Sequence, residues 1–138
     1  MRARRVAVCM MALALCLSAS GPLAADSRVS DVTVQQAREL MQAHGGQAEF
    51  VVLDVRTPEE FAEGHLSGAV NVNMLAPDFE RRLDALDRGK TYLVYCRTGN
   101  RSAKAVQAMQ RLGFRSVYHM FEGTVGWQKK GFPFSRAS

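Results

Sequence analysis

Thr91-Tyr92-Leu93-Val94-Tyr95-Cys96-Arg97-Thr98-Gly99-Asn100-Arg101-Ser102-Ala103 changes character twice in a short span. It opens as an apolar run of strand type. It turns polar at Cys96, with Gly99 in the middle. From Ser102 onward Ala105, Val106, Met109 and Leu112 recur at helical spacing, and Gly113 closes the pattern. The spacing predicts a strand over 91–95, a polar loop, and a helix over 102–112. Strand, loop, helix is the repeating unit of α/β proteins. In open parallel sheets ligands gather beyond the carboxyl ends of the strands, and Cys96 stands at such an end.

The same alternation extends outward from this stretch. Thr33 and Gln36 form a capping box before a helix over 34–43, with Val34, Ala37, Leu40 and Met41 on one face and Gly45-Gly46 as its stop. The nearly unbroken apolar run from Phe50 to Val55 reads as a strand covered on both faces. Thr57, Pro58 and Glu60 supply a cap, a proline at the first helical position and an acid at the third. A strand is expected over 69–72, a helix over 78–86 through Phe79, Leu83 and Leu86, a last strand over 116–119 and one helical turn over 126–130. The fold class that follows is α/β. It is a single domain with a central, mainly parallel sheet of about five strands and helices on both faces.

The first 25 residues read differently. Arg2, Arg4 and Arg5 precede an apolar run over 6–17, and small residues follow up to Ala24 and Ala25. This is the order of a secretory signal peptide. The run, about 12 residues, is too short to span a bilayer, which needs roughly 20. Cleavage is expected after Ala25, leaving 26–138 as a mature, soluble chain in the periplasm or an equivalent exported space. The formal charge of +5 includes the three leader arginines; the remaining 15 basic and 13 acidic groups give +2. So small an excess gives no support for nucleic-acid binding. Cys9 and Cys16 leave with the leader, so Cys96 becomes the only thiol and has no internal disulfide partner.

The loop carries the chemistry. Gly99 permits a curl in which successive backbone N–H groups point inward at an anion. The start of the following helix adds partial positive charge, and Arg97 and Arg101 add full charges. These features favour thiolate over thiol at Cys96 and make it the candidate nucleophile. Arg97, Thr98, Gly99, Asn100, Arg101 and Ser102 are the candidate substrate-binding residues, with Thr98 and Asn100 chiefly forming the loop. The polar neighbours argue that Cys96 is not a buried structural thiol.

This segment resembles the active-site loop of rhodanese domains. Two further elements agree with it. Leu53-Asp54-Val55-Arg56 followed by Gly64-His65-Leu66-Ser67-Gly68-Ala69 is similar to the family's Asp-Val-Arg and Gly-His-Ile/Leu-x-Gly-Ala segments. Glu122-Gly123, Trp127 and Gly131-Phe132-Pro133 are similar to its closing pattern, with Thr124 where a second glycine is common. Together they place a rhodanese domain over about 30–135. The resemblance implies a sulfurtransferase that moves sulfane sulfur from an anionic donor such as thiosulfate to a thiol, cyanide or protein acceptor through a persulfide on Cys96. It implies no metal or organic cofactor. It also implies that Asp54 anchors neighbouring loops and that Arg56 pairs with an acid such as Glu60.

The remaining candidates read as structural. His65 is expected to make a fold-stabilising hydrogen bond, and His44 and His119 lack a ligand-like spacing. Trp127 and Phe132 are expected to pack, near enough to the loop to shape its mouth. Two other functions compete. Phosphatases and arsenate reductases use a similar cysteine-to-arginine cradle, but their loop is one residue longer than the six from Cys96 to Arg101. A non-enzymatic sulfur-delivery or thiol-sensing module is the other.

Overall fold

The computed structural model describes residues 27–136. The expected leader and its cleavage site lie outside the described residues. The elements are β1 (Arg28–Val32), α1 (Val34–His44), β2 (Phe50–Asp54), α2 (Pro58–Glu63), β3 (Val70–Asn71), α3 (Phe79–Asp84), β4 (Thr91–Tyr95), α4 (Asn100–Arg111), β5 (Ser116–Met120) and α5 (Gly123–Lys129). The strands form one sheet in the order β1-β5-β4-β2-β3, with every pairing parallel.

Side chains alternate across the sheet and feed two apolar layers. Tyr92, Val94 and Cys96 face α3 and α4, with Phe79, Leu83, Ala105, Val106 and Met109 in the same cluster. Leu93 and Tyr95 face the other way, toward Val34 and Ala37 of α1 and Trp127 of α5. Both faces of β4 are therefore buried, as its apolar run requires. Each fully buried large side chain contributes about 1.5–3 kcal/mol of transfer free energy. The α/β class, the parallel sheet and the two helical layers agree with the sequence reading.

The helix starts form for the expected local reasons. Thr33 and Gln36 cap α1 reciprocally, at 3.2 and 2.9 Å. Thr57 and Glu60 do the same for α2 behind Pro58.

Three differences from the sequence reading stand out. β1 had no counterpart there: it is an edge strand with only Val32 buried, so it has little apolar signature and exists through its pairing with β5. α5 begins at Gly123, earlier than the single turn expected over 126–130, because Gly123 and Gly126 weaken the helical pattern. α4 begins at Asn100, so the loop proper is only residues 96–99. The last two corrections bear on the site, since α4 and α5 both begin beside the Cys96 loop.

Candidate active site

Cys96 directly follows β4, and the chain curls back over its sulfur. Gly99 makes the curl possible. Its φ is 92°, and a Cβ there would lie 2.2 Å from the Phe121 carbonyl oxygen. Gly123 is equally constrained, with φ 61° and a would-be Cβ 2.2 Å from the Arg97 oxygen. The loop thus lies flat against the start of α5, where Thr124 N–H donates to Cys96 O (3.0 Å) and Val125 N–H to Arg97 O (3.1 Å). Thr124, the departure from the family pattern, uses only its backbone here and leaves the loop undisturbed.

Cys96 is fully buried, contrary to the expectation drawn from its polar neighbours. Those neighbours turn their backbones inward and their side chains out. Arg97, Thr98 and Asn100 are exposed, whereas Gly99 and Ser102 are buried with the sulfur. Gly99 N–H donates to Sγ at 3.1 Å, and Ser102 Oγ lies 3.3 Å from it. Burial alone pushes the Cys96 thiol up. The Ser102 hydroxyl, followed by the N–H groups of Ser102, Thr98 and Gly99, outweighs burial and holds the thiol below its ordinary value. The site is thus an anion-stabilising pocket made largely of backbone.

Arg101 does not point freely into the loop. Its guanidinium grips Glu60 through two hydrogen bonds of 2.7 and 2.8 Å. The expected Arg56–Glu60 pair is corrected accordingly. Arg56 instead folds back on Asp54, with Nε 3.0 Å from both carboxylate oxygens and Nη2 2.7 Å from Oδ2, and Nη2 also donates to Gly64 O (2.7 Å). Asp54 can hold Arg56 because it sits two residues away at the strand end. Tyr95 completes the group, donating its hydroxyl to Asp54 Oδ2 (2.7 Å) and accepting from Leu66 N–H (3.1 Å). Asp54 is therefore the loop anchor that the sequence implied, and Tyr95 is the residue immediately before the nucleophile.

The Glu60 carboxyl is held at about 2, against an ordinary 4.5. The Arg101 hydrogen bonds lower it most, partial burial opposes them, and the Thr57 N–H adds to the lowering. A carboxyl with a depressed value stabilises the fold above its unfolded value and loses that contribution as pH falls through the folded one. Glu60→Gln keeps the Thr57 cap but removes the charge. At neutral pH it is expected to cost about 1 kcal/mol, the pair being about a quarter exposed and so partly screened. The difference should close between pH 4.5 and about 2. Denaturant unfolding across that range checks it; a gap independent of pH would show that the charge is not the cause.

The other residues singled out in the sequence fall into place. His65 Nδ1 donates to Phe61 O at 2.8 Å, and its ring stacks on Phe61 at 3.8 Å. Trp127 donates to Pro133 O and packs edge-on against Phe132. His44 lies near Phe50, far along the chain from the loop. Among the described residues no group of three or more His, Cys, Asp or Glu side chains is placed to hold a metal ion. His119, set aside in the sequence, is in the site. Its Nε2 is 2.8 Å from Ser102 Oγ, and its Nδ1 is 3.0 Å from Asp31 Oδ1.

Comparison with known proteins agrees with this geometry. The profile of the Rhodanese-like domain family matches residues 33–130. Thiosulfate sulfurtransferase 16, chloroplastic, of Arabidopsis thaliana is 35% identical over 122 residues, which span 80% of this chain and 98% of that one. The putative sulfurtransferase YtwF of Bacillus subtilis is 29% identical, over 76% of this chain and 96% of its own. The crystal structure of a rhodanese-related protein from Thermoplasma volcanium superposes with a TM-score of 0.66 at 28% identity, over 78% of this chain and 99% of that one.

Proposed function

The chain belongs to the rhodanese-like domain family, and from that membership we propose that it is a thiosulfate sulfurtransferase with Cys96 as its sulfur carrier. The observation that carries this reading is the contact of Gly99 N–H and Ser102 Oγ with Cys96 Sγ, which favours a thiolate at the end of β4.

In the first half-reaction the Cys96 thiolate attacks the outer sulfur of thiosulfate. A new S–S bond forms on Cys96, the S–S bond of thiosulfate breaks, and its electron pair leaves with sulfite. The resulting persulfide anion takes the place of the thiolate against the loop N–H groups, which are already oriented for it. In the second half-reaction an acceptor nucleophile, cyanide or a thiol, takes the outer sulfur and the thiolate returns. Two half-reactions through a covalent intermediate give ping-pong kinetics. Cys96 is fully buried at rest, so sulfur uptake includes a local opening of residues 96–99. The exposed Arg97, Thr98 and Asn100 meet the anionic donor, with Arg101 held at the edge of the loop by Glu60. No cofactor takes part. The leader-like first 25 residues support an exported, periplasmic location without stable membrane insertion after cleavage.

The test is intact-mass measurement after incubation with thiosulfate or mercaptopyruvate. The expected result is a gain of one sulfur atom, removed by cyanide with release of thiocyanate. No gain with any sulfane donor would overturn the assignment.

A further inference from the structure

Four side chains from four parts of the chain meet end to end behind the nucleophile. Cys96 Sγ is 3.3 Å from Ser102 Oγ, Ser102 Oγ is 2.8 Å from His119 Nε2, and His119 Nδ1 is 3.0 Å from Asp31 Oδ1. Ser102 is fully buried and His119 nearly so, while Asp31 lies at the surface, its side chain 69% exposed. The parallel register of β1 and β5 sets Asp31 opposite His119. We propose that Ser102, His119 and Asp31 form a relay that receives the Cys96 thiol proton and returns it, with Ser102 touching the sulfur and His119 and Asp31 as positioning residues acting through it. This rests on Cys96 being the reacting sulfur.

Hydrogen-bond accounting gives the relay its direction. The Asp31 carboxylate only accepts, so Nδ1 of His119 carries a proton, and in the neutral imidazole Nε2 is left to accept. With the thiol neutral, Sγ–H donates to Ser102 Oγ, and Oγ–H donates onward to Nε2 or to Gly99 O, 3.1 Å away. On ionisation the S–H bond breaks and its proton joins Ser102 Oγ, while the serine's own proton passes to Nε2. Ser102 then donates to the thiolate and accepts from Nε2–H. The products are a thiolate and an imidazolium braced by Asp31, and no proton is gained or lost. Gly99 O remains satisfied throughout, because Ala103 N–H donates to it at 3.0 Å. The imidazolium stays one hydroxyl away from the sulfur and serves as counter-charge to the thiolate and then to the persulfide. Such a charge has a place to act, since Arg101, a cation in Coulombic reach of Cys96, is already bound to Glu60.

The alternative is a buried histidine satisfied by two hydrogen bonds with no bearing on the sulfur. A thiolate titration separates the two, because it reads the Cys96 proton directly and needs no sulfur donor. Ultraviolet thiolate absorbance of the full chain, minus that of its Cys96→Ala form, isolates Cys96 from Cys9 and Cys16. His119→Gln and Ser102→Ala are each expected to raise the midpoint by about one pH unit, the scale of a lost neighbouring charge or hydrogen bond. Asp31→Asn should raise it by less, since an amide oxygen still accepts from Nδ1. A thermal melt accompanies each variant. If His119→Gln fails to fold, Asp31→Asn decides, as its surface position tolerates the change. Unmoved midpoints in folded variants would overturn the relay, even if sulfur uptake is seen. A moved midpoint in a protein that takes up no sulfur would uphold the relay and reject the transfer reaction.

Discussion

Cys96→Ser is expected to leave a folded protein that takes up no sulfur, with thiosulfate:cyanide turnover down by at least about 10³-fold, the scale of removing a covalent nucleophile. The substitution is nearly isosteric. The hydroxyl still meets the Gly99 N–H and the Ser102 hydroxyl, so the loop keeps its curl. What disappears is the chemistry. The environment that lowers a thiol cannot bring a hydroxyl, which is far less acidic, to a comparable anion. Oxygen also cannot store the transferred sulfur as a persulfide. The expected melting temperature is therefore close to that of the parent, and the mass spectrum after thiosulfate is unchanged from that before it. Persistent turnover in Cys96→Ser would reject the nucleophile. Because the full chain also carries Cys9 and Cys16, persistent mass gain would be traced by peptide mapping.

Much of this arrangement is legible in the sequence, and the rest is hidden for definite reasons. β4, its loop and α4 stand out because apolar run, glycine and helical stripe succeed one another without ambiguity. The capping boxes at Thr33 and Thr57 are local chemistry and appear as written. β1 is hidden because an edge strand with one buried residue needs no apolar pattern. The burial of Cys96 is hidden because polar residues can satisfy a buried sulfur with their backbones while their side chains reach water. The contact of His119 with Asp31 joins residues far apart in the chain, through a strand pairing that no local signal announces. The partner of Arg56 is ambiguous in the sequence because both Asp54 and Glu60 lie near it. Only the fold shows that Arg101 of α4 reaches Glu60 first.

The assignments of those two arginines matter for the second large effect. Asp54, Arg56 and Tyr95 form a buried cluster that joins the ends of β2 and β4 to the turn at Gly64–Leu66. Tyr95 is the residue before Cys96, so the cluster fixes the direction in which β4 hands the chain to the loop. It accounts for its buried polar atoms, including the Gly64 carbonyl and the Leu66 N–H. Burial, and then the neighbouring Asp54 carboxylate, push the Tyr95 hydroxyl well above its ordinary value, so it stays a donor throughout the working range.

Arg56→Met is accordingly expected to destabilise the fold by about 3–5 kcal/mol, the cost of leaving one partner of a buried ion pair alone. That is a large share of the roughly 5–15 kcal/mol available to a domain of this kind. Methionine fills the space, so the loss is one of charge and hydrogen bonds and not of volume. Asp54→Asn added to Arg56→Met removes the stranded charge and still accepts from Tyr95. The double variant is therefore expected to be more stable than Arg56→Met alone, with a coupling of at least about 1 kcal/mol. Denaturant unfolding of the parent, both single variants and the double variant measures this cycle. A cost under about 1 kcal/mol for Arg56→Met would mean that solvent reaches Asp54 freely, contrary to its complete burial. The same cycle separates scaffold from chemistry. Where Arg56→Met remains folded and the loop keeps its curl, turnover and the midpoint of the Cys96 titration should both stay near those of the parent. The hydrogen bonds that lower that thiol come from Gly99, Thr98 and Ser102, none of which touches Arg56.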